Sequence, residues 1–416
     1  MHEMTGYVFP NDVHIHWSLM IVMYPYITGL VAGAFIVSSL YHVFGRQELK
    51  PIGRLALATS LCFLSVAVVP LLNHLGHPER GPYVVITPNW SSAMAGFGFI
   101  YTCYLVLLFL EIWFVYRQVI VLTARRSRGL KRWLYAGLAL GTYDISEPAL
   151  AIDRKLVVTL AAIGIPAACL LHGYVGFIFG ALKSNPWWST PLMPIIFLFS
   201  AVVSGIAALI ILYQAAMKFR GQRIEPECVS SLARWLWLFM ILTVTLELLE
   251  IMTLAYERSE EWQIIEPLLT TRLSVSFISV QMVLGSLIPF ILLMIVVVMN
   301  RYLDDRVRNT LSVVASLLLL VQVFFMRWNV VIGGQIFSKS LRGFRAPYAP
   351  LLFEKEGVLA AVLIFIAPFL LLLVFNRILP LYEEDEEAIG PVGQAAASSA
   401  SRDAKPVAGG GPAPGH

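Results

Sequence analysis

Four ionisable side chains crowd into eight residues, HLGHPERG (His74 to Gly81), in a chain that is otherwise very apolar. Histidine ordinarily titrates near neutral pH, so His74 and His77 are residue types that can give or take a proton. Glu79 and Arg80 add a carboxylate and a guanidinium, and Asn73 precedes them. Asp12, His14, His16 and Trp17 stand ahead of the first apolar run, and Asn89 and Trp90 stand ahead of the third. Such a set suits a substrate that takes up two electrons and two protons and whose two carbonyls each want a donor. Quinone reduction is that chemistry. A wet interfacial loop, with Trp17 and Trp90 as belt anchors, accounts for the same residue types.

A second set lies inside apolar runs. Glu247 and Glu250 are three apart and therefore share a helix face. They lie roughly two-thirds of the way along their run, a depth compatible with Arg327 in a later one. An ionisable group in hydrocarbon costs several kcal/mol, so it needs a partner or a purpose. A buried Glu–Arg pair is one account and a proton or ion path is the other. Glu111 is expected to snorkel to water near the end of its run. His172 and His42 fall at opposite depths and cannot ligate one haem together. A hydrogen bond between helices is the expectation for His172, and no haem is expected.

The elements that position these residues follow from composition. The chain has 416 residues, 58% hydrophobic and 13% charged. Apolar runs longer than 18 residues recur and read as transmembrane helices. Nine spans are expected, at about 18–44, 55–75, 93–117, 156–182, 191–217, 234–256, 273–299, 309–332 and 357–381. Residues 133–151 are less apolar and are expected to lie at the interface or in the cytoplasm. A tenth span there is the alternative. Of the 30 Lys and Arg, 21 fall on the side opposite the N-terminus, 8 on the N-terminal side, and Arg327 lies within a span. The positive-inside rule then puts the N-terminus and HLGHPERG outside, and the C-terminus in the cytoplasm. The first 17 residues contain no Lys or Arg, so no basic signal-peptide region is visible.

The fold class expected is therefore an all-α polytopic membrane protein of two four-helix bundles plus one additional helix. Residues 1–17 form an outer segment, 18–182 the first bundle with the quinone-site candidates, and 191–332 the second. Residues 333–381 supply an outer loop and a further span. Residues 382–416 begin with an acidic run and continue in Ala, Ser, Gly and Pro, a composition expected to be disordered. TGLVAGAF (Thr28 to Phe35) and SGIAALI (Ser204 to Ile210) form a weak repeat whose small residues permit close helix approach. The four cysteines, Cys62, Cys103, Cys169 and Cys228, form no CxxC or CxxCH motif. No iron–sulfur cluster, metal site or attached haem is expected in this chain.

Four stretches resemble the NrfD/PsrC family of quinone-interacting membrane subunits. YPYITGLVAGAF (Tyr24 to Phe35) is similar to the family's opening helix. LLNHLGHPERG (Leu71 to Gly81) resembles its LxxDLGxPxR loop. TPNWSSAMAGFG (Thr87 to Gly98) resembles the Pro-Met-Ser-Trp entry to the next helix, reordered. RWNVVIGGQ (Arg327 to Gln335) resembles the closing helix of the second bundle. The ninth span and IGIPAACLLHGYVG (Ile163 to Gly176) are similar to the longer members, found in the quinone reductase complex, alternative complex III, the Dsr membrane complex and hydrogenase-2. His74 stands where the family loop commonly has Asp.

The resemblance implies a multi-pass subunit of the bacterial inner membrane that binds menaquinone or another quinone near the periplasmic face. It implies electron exchange with a ferredoxin-like iron–sulfur subunit. A multihaem cytochrome c or a molybdopterin-type periplasmic subunit would complete the path. Membrane lipid is the remaining partner, and no nucleic acid is expected. His16, His74, His77, Asn73 and Asn89 are the expected quinone contacts. Asp12, His14, Glu79, Arg80, Glu247, Glu250 and Arg327 are the expected proton-transfer groups, with the last three forming a proton or ion path through the second bundle. The chain is expected to turn over only within a complex. A secondary transporter and a structural anchor without a quinone site are the rival readings.

Overall fold

The computed structural model describes residues 14–258, 260–338, 341 and 343–382. Asp12 and the tail from residue 383 lie outside the described residues. Among those described, nine helices are long and apolar enough to cross a membrane. They are α1 (Leu19–His42), α2 (Gln47–His74), α3 (Ala93–Arg126), α5 (Glu147–Gly180), α6 (Met193–Arg220), α7 (Pro226–Glu257), α8 (Ser274–Val298), α9 (Asp305–Ile336) and α10 (Val358–Ile378). A short helix, α4 (Gly129–Leu138), sits between α3 and α5.

The segment expected at the interface thus divides. Its first part is the ten-residue α4, which exposes Leu130 and Trp133, and its last residues open α5. Ten residues of helix rise only about 15 Å and cannot span the bilayer. Several spans run past their apolar windows. α3 continues to Arg126, and α5 begins at Glu147, nine residues before the expected start. A helix has no reason to end where hydrocarbon ends, because its backbone bonds are satisfied internally in either solvent.

α1 and α6 form the centre. The most apolar window of α1 is 94% buried by protein, whereas that of α10 is 17% buried. α1 packs on α2, α5 and α6, and α6 packs on α5, α7 and α9. α3 packs on α5, α8 on α7 and α9, and α10 lies against α2. The two small-residue stretches meet here. A Cβ on Gly33 would fall 2.7 Å from the Gly205 Cα, so only glycine allows these backbones to cross so closely.

Among the described residues the ordinary α-helical repeat gives way in Leu268–Arg272, just ahead of α8, and in two stretches within the spans. Ser274–Leu287 in α8 and Asn329–Gly333 in α9 are π-helical, with one extra residue in each hydrogen-bonded turn. Among the described residues, the connection from α9 to α10 carries one bridge, Phe337 to Phe344.

Glu111 corrects its sequence reading. Its side chain does not reach water: it is 0% exposed, and neither carboxylate oxygen has a hydrogen-bond partner among the described residues. Packing against other parts of the protein, rather than depth along α3, keeps the carboxylate from water.

Candidate functional site

One mouth of the molecule is built from the start of α1, the end of α2 and the loop before α10. The Ser18 hydroxyl caps α1 by accepting from the Met20 N–H at 3.2 Å, and it donates to Glu356 Oε2. The same Oε2 lies 2.7 Å from His74 Nδ1. Both side chains are about a quarter exposed, 25% for His74 and 27% for Glu356. Asn73 Nδ2 donates to the Lys355 carbonyl at 2.7 Å, and Lys355 Nζ returns a bond to the Leu75 carbonyl at 3.1 Å. The Leu19 N–H donates to the Tyr348 hydroxyl at 3.0 Å. Burial pushes the Tyr348 phenol above its usual range, and the Glu356 and Glu354 charges push the same way.

The loop therefore ties the start of α1 to the end of α2, and Glu356 is the hub of that tie. Trp17 extends it. Its N–H donates to Gln335 Oε1 at 3.0 Å, and its ring stacks on Trp188 with centroids 5.0 Å apart.

His77 and Asn89 have partners other than His74. His77 pairs with Glu79 at 3.0 Å in a contact in which both side chains are 65% exposed. Asn89 Oδ1 accepts from the N–H and hydroxyl of Ser91, which closes its own turn. Arg80, His14 and His16 are exposed.

The core cluster lies deeper. Glu247 is 5% exposed. Gln281 donates to it at 2.9 Å, and Gln322 lies 3.4 Å from both its oxygens. Asn329 Nδ2 donates to Gln281 Oε1 at 2.7 Å, and Ser276 donates to Asn329 Oδ1 at 2.7 Å. Gln281 and Ser276 stand on the π-helical stretch of α8, and Asn329 opens that of α9. A cavity of about 30 Å³ separates these linked side chains from Glu250, with Trp187 and Phe277 in its wall. That is room for roughly two water molecules.

Arg327 is not the ion-pair partner of Glu247. No N–O contact within 4 Å joins them among the described residues. Its guanidinium is fully buried and donates to His172 Nε2 at 3.0 Å, Ser200 Oγ at 2.7 Å and the Phe197 carbonyl at 3.2 Å. It also covers the Phe197 ring at 3.8 Å. Because arginine only donates, His172 accepts through Nε2 and carries its proton on Nδ1, which has no partner among the described residues. His172 thus bonds between helices, from α5 to α9.

The sequence reading missed Ser18, Tyr348, Lys355 and Glu356, because nothing local marks a loop residue that reaches back some 280 positions. It also passed over Gln281, Gln322 and Asn329. Uncharged amides in two successive apolar runs, Gln281 in one and Gln322 with Asn329 in the other, were the available signal. Among the described residues, no group of three or more His, Cys, Asp or Glu gathers to hold a metal ion.

Nine apolar helices around a buried polar core, among the described residues, define a multi-pass membrane protein. Residues 9–339 match the family described as polysulphide reductase, NrfD, and the chain belongs to that family. It is similar to a selenate reductase subunit of Mesobacillus selenatarsenatis, 33% identical over 55% of each protein. It resembles a polysulfide reductase component of Wolinella succinogenes at 23% identity over 81% of its own length and 99% of that protein. The Escherichia coli protein NrfD is 26% identical, in a match that covers 52% of the present sequence and 63% of NrfD. The chain spans about half the length of the selenate reductase subunit and of a putative dimethyl sulfoxide reductase membrane subunit of Halobacterium salinarum, 55% and 49%.

Proposed function

We propose that this protein is the integral membrane subunit of a respiratory redox complex. It binds menaquinone or a related quinone near the periplasmic face and exchanges electrons between it and a neighbouring iron–sulfur subunit. The observation that carries this reading is the His74–Glu356–Ser18 group. An imidazole, a carboxylate and a hydroxyl are joined at the edge of the apolar region, the first two partly open to water. His74 supplies a donor to a quinone carbonyl, and Glu356 relays the proton between the ring and the outer phase. His16 and Asp12 serve the same exchange from the N-terminal side. The excess of Lys and Arg at the opposite end supports an outer location for this mouth. Relatives named as reductase subunits support the setting, and an iron–sulfur subunit with a molybdopterin-type or cytochrome partner completes the electron path.

The test is menaquinol turnover by the purified complex. His74→Ala should lower turnover by about tenfold or more, the scale of a lost general acid–base group. Unchanged kinetics in a His16→Ala, His74→Ala double variant that assembles normally would overturn the assignment.

A second activity has its own support. The continuous series Glu247–Gln281–Asn329–Ser276, beside a cavity reaching Glu250, has the composition of a proton path through the second bundle. Glu247→Gln should leave electron transfer intact and abolish coupled proton movement in proteoliposomes. Retained proton movement would remove this part of the proposal.

A further inference from the structure

α4 presents an apolar face that nothing covers among the described residues. Trp133 and Leu134 follow Leu130 by three and four residues, so the three side chains share one side of the helix. All are exposed, Leu130 at 87% and Trp133 at 80%. Leu140, two residues past the helix, is exposed as well. Tyr135, on the far side, is buried against the protein. Contiguous apolar surface of this kind marks a place of interaction.

Two bonds set the level of that face against the spans. The Tyr135 hydroxyl donates to the carbonyl of Ile378, the last residue of α10. Trp113 Nε1, within the apolar stretch of α3, donates to the Leu138 carbonyl at 2.8 Å. α10 exposes Leu373 and Val374 about one turn before Ile378, so its lipid-facing surface runs almost to the point that α4 holds. α4 therefore stands where hydrocarbon gives way to headgroups. Its buried side lies on α3 and α10, and its Leu–Trp face is turned away from them. Tryptophan is favoured at that level of a bilayer.

The charge beside the face has one sign. Residues 125–143 hold five Lys or Arg and no Asp or Glu, so the sign depends on no single cation. Lys131 lies over the Tyr135 ring, 5.9 Å from its centroid, and Arg125 donates to the Tyr143 carbonyl at 2.6 Å. Both contacts are to neutral groups and leave the charge in place. Arg128 and Arg132 are exposed and have no carboxylate partner among the described residues. A Leu- and Trp-bearing face flanked by cations suits an anionic lipid surface. We propose that α4 is an interfacial anchor. Leu130, Trp133 and Leu134 enter the boundary between headgroups and acyl chains, and the cations beside them meet the phosphates of anionic phospholipids. The anchor is independent of the quinone mouth and of the proton path.

The test is tryptophan fluorescence of the full-length protein in lipid nanodiscs whose acyl chains carry bromine. The difference between the parent and Trp133→Phe isolates the emission of Trp133. In discs containing phosphatidylglycerol, that emission should be quenched by the brominated chains and protected from acrylamide. Discs of phosphatidylcholine alone should lose part of the bromine quenching and admit acrylamide. An Arg128→Gln, Arg132→Gln double variant should do the same in phosphatidylglycerol. All three side chains are exposed, so these changes leave the fold in place. Emission open to acrylamide and untouched by bromine overturns the proposal and leaves the face to a soluble protein. Protection from both quenchers also overturns it, because another part of the protein then covers Trp133. Equal bromine quenching in the two lipids overturns the assignment to anionic headgroups.

Discussion

Two carboxylates organise this protein, and they are satisfied in different ways. Glu356 at the mouth sits about a quarter exposed, with a histidine ring and a hydroxyl as partners. Glu247 in the core is 5% exposed and is held by two glutamine amides, one of them backed by Asn329. The difference follows from access to water. At the mouth a charge is solvated in either protonation state, so a titratable partner is tolerated. In the core an unpaired donor or acceptor has no bulk water to turn to, only the small cavity beside Glu250, so the partners of Glu247 are neutral amides, one of them bonded onward to Asn329.

The comparison breaks most easily on stability. Gln281→Leu removes the link between Glu247 and Asn329 and strands a group on each side. It should cost roughly 2–5 kcal/mol, from about 1–3 for each buried group left unpaired. A lowered melting temperature in detergent reports it. Ser18→Ala removes a helix cap and one partner of Glu356, and should cost about 1 kcal/mol by the same assay. Glu356→Gln keeps the shape of the mouth. Its stability cost should be under about 1 kcal/mol because the pair is partly solvated. The same variant should lower menaquinol turnover severalfold, so stability and activity separate at this residue. His77→Ala, at the exposed pair with Glu79, should stay within about 0.5 kcal/mol of the parent. If Gln281→Leu proved as mild as His77→Ala, the contrast between core and mouth would collapse.

Much of the architecture is legible in the sequence because the bilayer demands long apolar runs. All nine spans follow from that demand, and the Gly33–Gly205 crossing follows from small residues in α1 and α6. The polar sites are less legible, for physical reasons. Arg327 is recognisable as a buried charge, but its partners are a histidine, a serine and an aromatic face rather than the glutamate that charge-matching suggests. Glu111 sits at a depth where snorkelling is geometrically open, and only its tertiary packing closes it off. The π-helical turns that bring Gln281 to Asn329 leave no periodic trace, since the run is apolar on every side.

The loop before α10 also sets a schedule. Asn73 and His74 are synthesised some 280 residues ahead of Lys355 and Glu356, which bind them. Eight spans must be made before those two residues emerge, and α10 follows directly after them. A nascent or truncated polypeptide therefore holds half of the mouth with no carboxylate to complete it. The bond between His74 and Glu356 thus forms only after eight spans have been made, late in the assembly of the fold.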